Sequence, residues 1–131
     1  MVSLDTPVPV GAFALLLLAL EVKHLGADFL LQTGWMAQGK ERVRGWPAPL
    51  AAHAGLHALG TLLIVLAVKP GLWWLAPADF VIHGAVDRGK ALVGQRTRFA
   101  VTDARFWWLM GFDQFLHQVT NIAIALILIA A

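Results

Sequence analysis

The residues best able to do chemistry in this sequence are histidines and aspartates that recur in pairs four positions apart. The pairs use all five histidines and three of the aspartates, and they are His24 with Asp28, His53 with His57, His83 with Asp87, and Asp113 with His117. Residues at this spacing lie on one face of an α-helix, one turn above the other. Each pair therefore offers two metal ligands, or a ligand and a general base, from a single helical face.

The elements that must position these pairs are membrane helices. Of the 131 residues, 59% are hydrophobic and 14% charged, which is more apolar than a soluble domain of this length. Four candidate spans lie at about residues 8–31, 50–68, 72–93 and 104–130. Three of them approach the ~20 residues that cross a bilayer, and the third span is the exception. The sequence predicts an all-α fold in which residues 1–131 form one polytopic membrane domain, a four-transmembrane-helix up-down bundle. Pro77 predicts a short or kinked third helix, and Thr102 or Asp103 would cap the fourth.

The distribution of lysine and arginine predicts the orientation. The first connection carries Lys40, Arg42 and Arg44, and the third is also basic, whereas the second carries only Lys69. Cytoplasmic loops are enriched in basic residues. The first and third connections are therefore expected in the cytoplasm and both termini outside it.

Counting inward from the expected cytoplasmic ends brings the pairs into register. One layer lies about 8 Å and the other about 14 Å deep at ~1.5 Å per residue. The outer layer holds Asp28, His53, Asp87 and Asp113, and the inner layer holds His24, His57, His83 and His117. Because the chain alternates direction, the order within a pair should reverse between successive helices, and it does.

This arrangement predicts a metal centre with all eight side chains as ligands. The chain has no cysteine, so any metal must be held by nitrogen and oxygen. Mixed imidazole and carboxylate favours zinc, with manganese or iron as alternatives, over calcium. Three carboxylates suit two divalent ions. The simpler interpretation is a set of polar side chains that hydrogen-bond between helices.

Other polar residues are candidates for supporting roles. Asp113 and Asp87 are the candidate general bases, and Lys90 would hold an anionic substrate or a developing oxyanion, unless it only reaches from the interface to water. Gln32 and Asn121 are expected to orient ligands. Glu21 is an extra ligand, a proton carrier or the partner of Lys23, and Gln114 is expected to point away from the centre.

The combined motif resembles a known family. It comprises His24-xxx-Asp28-Phe29-x-Leu31-Gln32-xx-Trp35-Met36-Ala37-xx-Lys40, then His53-xxx-His57, His83-xxx-Asp87-xx-Lys90 and Asp113-Gln114-xx-His117. It is similar to a family of small bacterial membrane proteins catalogued only as a domain of unknown function. The resemblance covers nearly the whole chain and implies a multi-pass protein of the bacterial inner membrane. A looser analogy links it to membrane-bound metal-dependent hydrolases.

The chemistry of these residues favours a metal-dependent hydrolase acting on a membrane lipid or a lipid-linked substrate. The second hypothesis is a transporter or channel for a metal ion or proton, although residues 12–20, 62–68 and 122–131 offer it little polarity. A di-iron or haem redox protein is the third, and a purely structural metal is the simplest. No nucleic-acid partner is expected, and a homo-oligomer stays open.

Overall fold

The chain is helical along most of its length. The computed structural model describes residues 7–131, and this range contains no strand. Its helices are α1 (Val10–Leu25), continued by a π-helical segment (Gly26–Leu30), then α2 (Gly34–Gly39), α3 (Pro47–Val68), α4 (Leu75–Thr97) and α5 (Ala104–Ala130), with a 3₁₀ turn (Pro70–Leu72) between α3 and α4. The all-α prediction is confirmed for this range. Residues 1–6, with the N-terminal end whose side of the membrane was predicted, lie outside it.

Local chemistry explains where the long helices begin. α3 starts at Pro47. Proline has no backbone N–H, and this costs nothing in the first turn of a helix, where an N–H would have no partner within the helix. Asp103 caps α5 as predicted, because its carboxylate accepts a hydrogen bond of 2.9 Å from the backbone N–H of Arg105. Side-chain hydrogen bonds from Arg105 also hold the pKa of Asp103 below its ordinary value.

Three helical segments are long and apolar enough to cross a membrane: Val10–Leu30, Pro47–Val68 and Ala104–Ala130. α4 is long enough, at 23 residues or about 35 Å, but several charged residues exclude it on composition. The expected short or interrupted third helix is wrong. Pro77 lies in the first turn of α4, where proline costs no hydrogen bond, and the helix continues unbroken to Thr97.

The four long helices form a closed bundle. α3 packs against α1 and α4, and α5 packs against α4 and α1. One end of the bundle axis holds an apolar cluster that includes Leu20, Val65 and Ile124. The outer surface is apolar as well: Leu15 is 70% exposed and Val81 is 65% exposed. Polar side chains therefore lie on the axis while hydrocarbon faces outward, which suits a lipid environment.

Candidate metal centre

The bundle brings all eight predicted side chains together on its axis. α1 and its π-helical extension supply His24 and Asp28, and α3, α4 and α5 supply one pair each. Seven of the eight residues are buried, and the side chain of Asp28 is 14% exposed. Helical periodicity places each pair on the inward face, and the apolar residues on the other faces leave no other orientation with low cost in lipid.

One set of donor atoms comes from α3, α4 and the end of the first helix. Ligand atoms of Asp28, His53, His57 and His83 all lie within 4.8 Å of one another. Asp28 Oδ1 lies 2.8 Å from His57 Nε2 and 3.4 Å from His53 Nε2. We call these four residues the first donor group.

The spacings in the first donor group match those of a small coordination shell. His53 Nε2 and His83 Nε2 are 3.3 Å apart. Two nitrogens bound at about 2.0–2.1 Å to a tetrahedral zinc ion are also about 3.3 Å apart. The first donor group therefore presents three imidazole nitrogens and a carboxylate oxygen within 4.8 Å of one another, close enough for a single ion to bind them.

A second set of donors lies beside the first. Ligand atoms of His83, Asp87 and His117 fall within 4.8 Å of one another, and we call these residues the second donor group. His117 Nε2 lies 3.2 Å from Asp87 Oδ1, and His83 Nε2 lies 3.8 Å from Asp87 Oδ2. Because His83 belongs to both donor groups, the two positions share a ligand and are not independent.

Two of the predicted ligands lie outside both donor groups. His24 Nε2 is 3.0 Å from Asp28 Oδ2, so it contacts the first donor group through that carboxylate. Asp113 Oδ1 lies 3.5 Å from His117 Nε2 and has no hydrogen-bond partner within residues 7–131. These two side chains border the donor groups instead of completing them.

The predicted layer of four histidines appears as a closed ring of imidazoles. Ring centroids are 5.1 Å apart for His24 and His57, 3.6 Å for His57 and His83, 4.1 Å for His83 and His117, and 5.6 Å for His24 and His117. His53 lies beside this ring, 4.9 Å from the ring of His57 and 5.1 Å from that of His83. The histidines thus form one contiguous cluster.

In one respect the cluster departs from established metal sites. The Nδ1 atoms of His53 and His57 are buried and have no hydrogen-bond partner within residues 7–131. Metal-bound histidines usually donate their second ring N–H to a carbonyl or carboxylate, which fixes the ring. The polar contacts of these two rings are instead made by Nε2, which in His57 lies 2.8 Å from Asp28 Oδ1 and in His53 lies 3.3 Å from His83 Nε2.

Lys40 is a member of the site that the sequence analysis did not identify. Its Nζ lies 2.8 Å from Asp87 Oδ2, and the residue is 8% exposed. It was counted among the basic residues of the first connection, although it closes the motif that carries the family resemblance. α2, which was also not predicted, places it. The helix begins at Gly34, after the N-cap residue Thr33, whose side chain accepts a hydrogen bond from the Met36 N–H, and it ends next to Lys40.

Lys90 lies at the margin of the cluster, as its sequence position predicts. Its Nζ is 3.0 Å from Glu41 Oε1 and 3.9 Å from Asp113 Oδ2. The side chain of Glu41 is 41% exposed, whereas that of Lys90 is 13% exposed. Lys90 therefore connects a carboxylate at the surface with one in the cluster.

The expectation for Gln114 is wrong, and Gln32 contacts its predicted partner through the backbone only. Gln114 does not point away: its Oε1 lies 3.3 Å from His24 Nε2, and its amide donates to Asp113 Oδ2 at 3.1 Å. Its side chain is long enough to turn back toward the axis. Gln32 donates to the backbone carbonyl of Asp28 at 2.9 Å and not to the carboxylate. Asp28 is instead positioned by the π-helical segment, a distortion that often occurs at functional sites.

A further polar layer lies one turn beyond the histidines. Asp79 Oδ2 accepts hydrogen bonds from Thr61 Oγ1 at 2.6 Å and from Lys23 Nζ at 3.2 Å. Asp79 is 2% exposed and Thr61 is fully buried. Asp79 and Thr61 each lie four positions from a donor histidine, so the inward stripe continues, but neither residue was identified from the sequence.

Glu21 and Asn121 complete this layer. Asn121 Nδ2 donates to Glu21 Oε1 at 3.1 Å. The expectation that Asn121 orients a metal ligand is therefore wrong. Of the three roles considered for Glu21, the pairing with Lys23 is not the one seen, because the ammonium group of Lys23 pairs with Asp79 at 3.2 Å. The polar axis is one layer deeper than the sequence analysis predicted, and the apolar cluster of Leu20, Val65 and Ile124 follows it.

Comparison with known proteins agrees with the expected resemblance to a family of unknown function and adds no activity. A family model described as protein of unknown function (DUF3307) matches residues 13–131, a range that includes every residue of the cluster. No curated protein matches the chain, and no solved structure does.

Proposed function

We propose a function for this chain, which belongs to the DUF3307 family of proteins of unknown function, from the chemistry of its donor cluster, the name we give to the two donor groups together with His24 and Asp113. It acts as a membrane-embedded, metal-dependent hydrolase on a lipid or lipid-linked substrate. The observation that carries this proposal is the convergence of five imidazoles and three carboxylates on a buried axis whose surroundings are hydrocarbon. Ionisable groups cost several kcal/mol in such a position unless they are paired or bind a cation.

The charges in the cluster support at least one divalent ion. Asp28, Asp87 and Asp113 contribute three negative charges, and Lys40 contributes one positive charge through Asp87. Lys90 is offset by Glu41. The remaining two negative charges match one divalent ion, which the first donor group would hold. A second ion at the second donor group would bind more weakly, because it shares His83. Zinc suits the imidazole-rich donors best, and manganese and iron are the alternatives.

The side chains around the donor groups support hydrolysis. A divalent ion supplies a water of lowered pKa and polarises the bond under attack. Asp113 is placed to take the proton of an attacking water, because its Oδ1 is buried, unpartnered within residues 7–131 and outside both donor groups. Asp87 already contacts Lys40 and belongs to the second donor group. Its proposed role is therefore that of a ligand, and Asp113 is the preferred general base. Lys90 Nζ lies 3.9 Å from Asp113 Oδ2, where it would hold an anionic group of the substrate.

The proposed membrane arrangement has four crossings, with α4 as the fourth. Asp79, His83 and Asp87 of α4 are buried on the axis, while Val81 is 65% exposed and Phe80 is 37% exposed. Asp79 and Asp87 therefore do not argue against insertion, because they face the bundle axis. The end of the bundle with Lys40 and Lys90 would lie at the cytoplasmic face of the bacterial inner membrane, with both termini on the other side.

The proposal is tested with protein purified in mild detergent. Metal analysis should find about one tightly bound divalent ion per chain, and incubation with mixed bacterial lipids should yield a hydrolysed lipid detected by mass spectrometry. The Asp113→Asn variant is the matched control, because it should keep the ion and lose the product. Absence of any bound or bindable divalent ion would refute the metal centre, and an unchanged lipid mixture would refute the hydrolase.

A transport function is the second candidate, and the deep polar layer favours it. Lys23, Thr61 and Asp79 extend the polar axis beyond the histidines, as in ion and proton pathways. The apolar cluster that includes Leu20 and Val65, both fully buried, then closes the axis. A transporter would move zinc or protons across reconstituted vesicles without changing any lipid. The same vesicles therefore separate the two candidates.

The geometry favours a haem redox protein less than it favours a hydrolase or a transporter. A haem with two axial histidines needs a planar macrocycle between the two rings. The rings of His57 and His83, and those of His83 and His117, are stacked at 3.6 Å and 4.1 Å, which leaves no space for one. Iron in the donor groups is compatible with the ligands, and metal analysis identifies it.

A further inference from the structure

An apolar groove runs between α4 and α5 and ends at the donor cluster. It encloses about 410 Å³, and its walls include Val86, Gly89, Leu109 and Phe112. The charged groups that line it are Lys90 and Asp113. A second hollow of about 280 Å³ adjoins it at Lys90 and Leu109 and reaches Glu41. We call the first of these the α4–α5 groove.

The α4–α5 groove opens toward the surroundings of the bundle and not toward its axis. Phe112 on its wall is 60% exposed, and the neighbouring Phe115 is 58% exposed. In a membrane this face of the bundle contacts lipid chains. A hydrocarbon chain can therefore enter the groove from the side without crossing water, and its polar end then lies near Lys90.

The polar end of the groove contains a cation whose present partner is easily replaced. Lys90 is largely buried and contacts Glu41 at 3.0 Å, but the carboxylate of Glu41 is 41% exposed. Only the Glu41 side of this pair is exposed, and an ion pair with one partner in water is weaker than a fully buried one, so its carboxylate can turn to water at low cost. The backbone of Glu41 need not move, because its carbonyl accepts a separate hydrogen bond of 2.7 Å from Gln95. Beside Lys90, the buried Oδ1 of Asp113 has no partner within residues 7–131.

We infer that the α4–α5 groove binds the hydrocarbon chain of a lipid with an anionic phosphate head group, and that Lys90 selects this head group by exchanging the Glu41 carboxylate for the phosphate. The inference names the substrate class of the proposed hydrolase and rests on that function. Charge complementarity determines the choice of lipid, because a neutral head group would leave Lys90 paired with Glu41 and gain nothing from it. Glu41 thus occupies the phosphate position when no lipid is bound.

Two glycines provide a matched pair of variants for the groove. A Cβ added at Gly89 or at Gly55 meets nothing within 4 Å, so both helices should accept a larger side chain. Gly89 lines the α4–α5 groove, whereas Gly55 lies on α3 away from it. Gly89→Leu should fill the groove and lower the retention of dioleoyl phosphatidic acid by tenfold or more. Gly55→Leu should leave retention unchanged.

Head-group selection is tested with the same lipid and an uncharged analogue. Retention of dioleoyl phosphatidic acid and of dioleoylglycerol is measured by native mass spectrometry on the intact chain, with zinc and with chelator. We expect a preference of at least tenfold for the phosphate, lost in Lys90→Gln, kept in Lys90→Arg and increased in Glu41→Gln. Rescue by arginine separates a charge effect from a loss of structure.

The readout is binding and not turnover, so the outcomes separate the two proposals. Selective binding without any hydrolysed product would support lipid binding by the α4–α5 groove and refute the hydrolase function. Lipid hydrolysis would support the hydrolase function in either case. If Gly89→Leu and Gly55→Leu changed lipid retention equally, or if the protein showed no preference for the phosphate, the inference about the α4–α5 groove would be overturned.

Discussion

Lys40 Nζ lies 2.8 Å from Asp87 Oδ2, and both residues are buried although 47 positions separate them in the chain. The contact fastens the end of α2 against α4 and supplies a fixed positive charge to the donor cluster. It also changes the charge balance, because one of the three carboxylates is neutralised by the protein itself.

Removing that charge should destabilise the protein in a way that metal partly restores. Lys40→Met leaves Asp87 buried without its cation, a change that costs about 3–5 kcal/mol when a buried pair is broken. We expect a lower thermal midpoint in chelator and a larger recovery on adding zinc than the wild type shows. Lys40→Arg keeps the charge and should behave like the wild type, and Lys69→Met controls for loss of a lysine outside the cluster. Equal midpoints for Lys40→Met and Lys69→Met would show that the contact has no energetic weight.

Metal binding and turnover should respond to different residues. His57 belongs to the first donor group, so His57→Ala should lower bound metal to well below one ion per chain and destabilise the fold. Asp113 lies outside both donor groups. Asp113→Asn should keep the metal while lipid hydrolysis falls by about 10²–10⁴. Metal analysis and product mass spectrometry on the same preparations check both statements. Loss of metal in Asp113→Asn would place this residue among the ligands.

The ion pair of Lys23 and Asp79, one turn beyond the histidines, should have only a structural role if the protein is a hydrolase. Asp79→Asn leaves Lys23 without its carboxylate partner at 3.2 Å and should destabilise the bundle. Lys23→Met combined with Asp79→Leu removes both charges and should recover most of the stability, which denaturation in detergent measures. Lipid hydrolysis by the double variant should stay close to that of the wild type. A transporter would instead lose zinc or proton flux in the double variant despite normal folding.

The membrane topology can be tested with single cysteines, since the chain contains none. Gly71 lies in the turn between α3 and α4, and Thr102 lies in the connection before α5; both are exposed. An impermeant thiol reagent added to intact cells should label Gly71→Cys, whereas Thr102→Cys should need permeabilised cells. Labelling of both from one side would contradict four crossings, because α4 would then not traverse the bilayer.

The sequence by itself determined that four long helices form and which of their faces turn inward. Hydrophobic segments long enough for a bilayer leave the backbone little choice but α-helix, and the predicted range 104–130 coincides with α5. The spacing of four places both members of each pair on one face. Since an exposed carboxylate or imidazole is costly in lipid, that face had to turn toward the bundle axis. These are local rules, and they were sufficient to bring all eight side chains to one cluster.

Only the tertiary structure decided which of these side chains share a site and what else joins them. Lys40 with Asp87, Gln114 with His24, and Lys23 with Asp79 are contacts between helices, separated by 47, 90 and 56 positions. Periodicity specifies the face of a helix but not the rotation and height at which a neighbouring helix meets it. The division of the histidines into two donor groups that share His83 depends on that packing, as does the π-helical turn that carries Asp28.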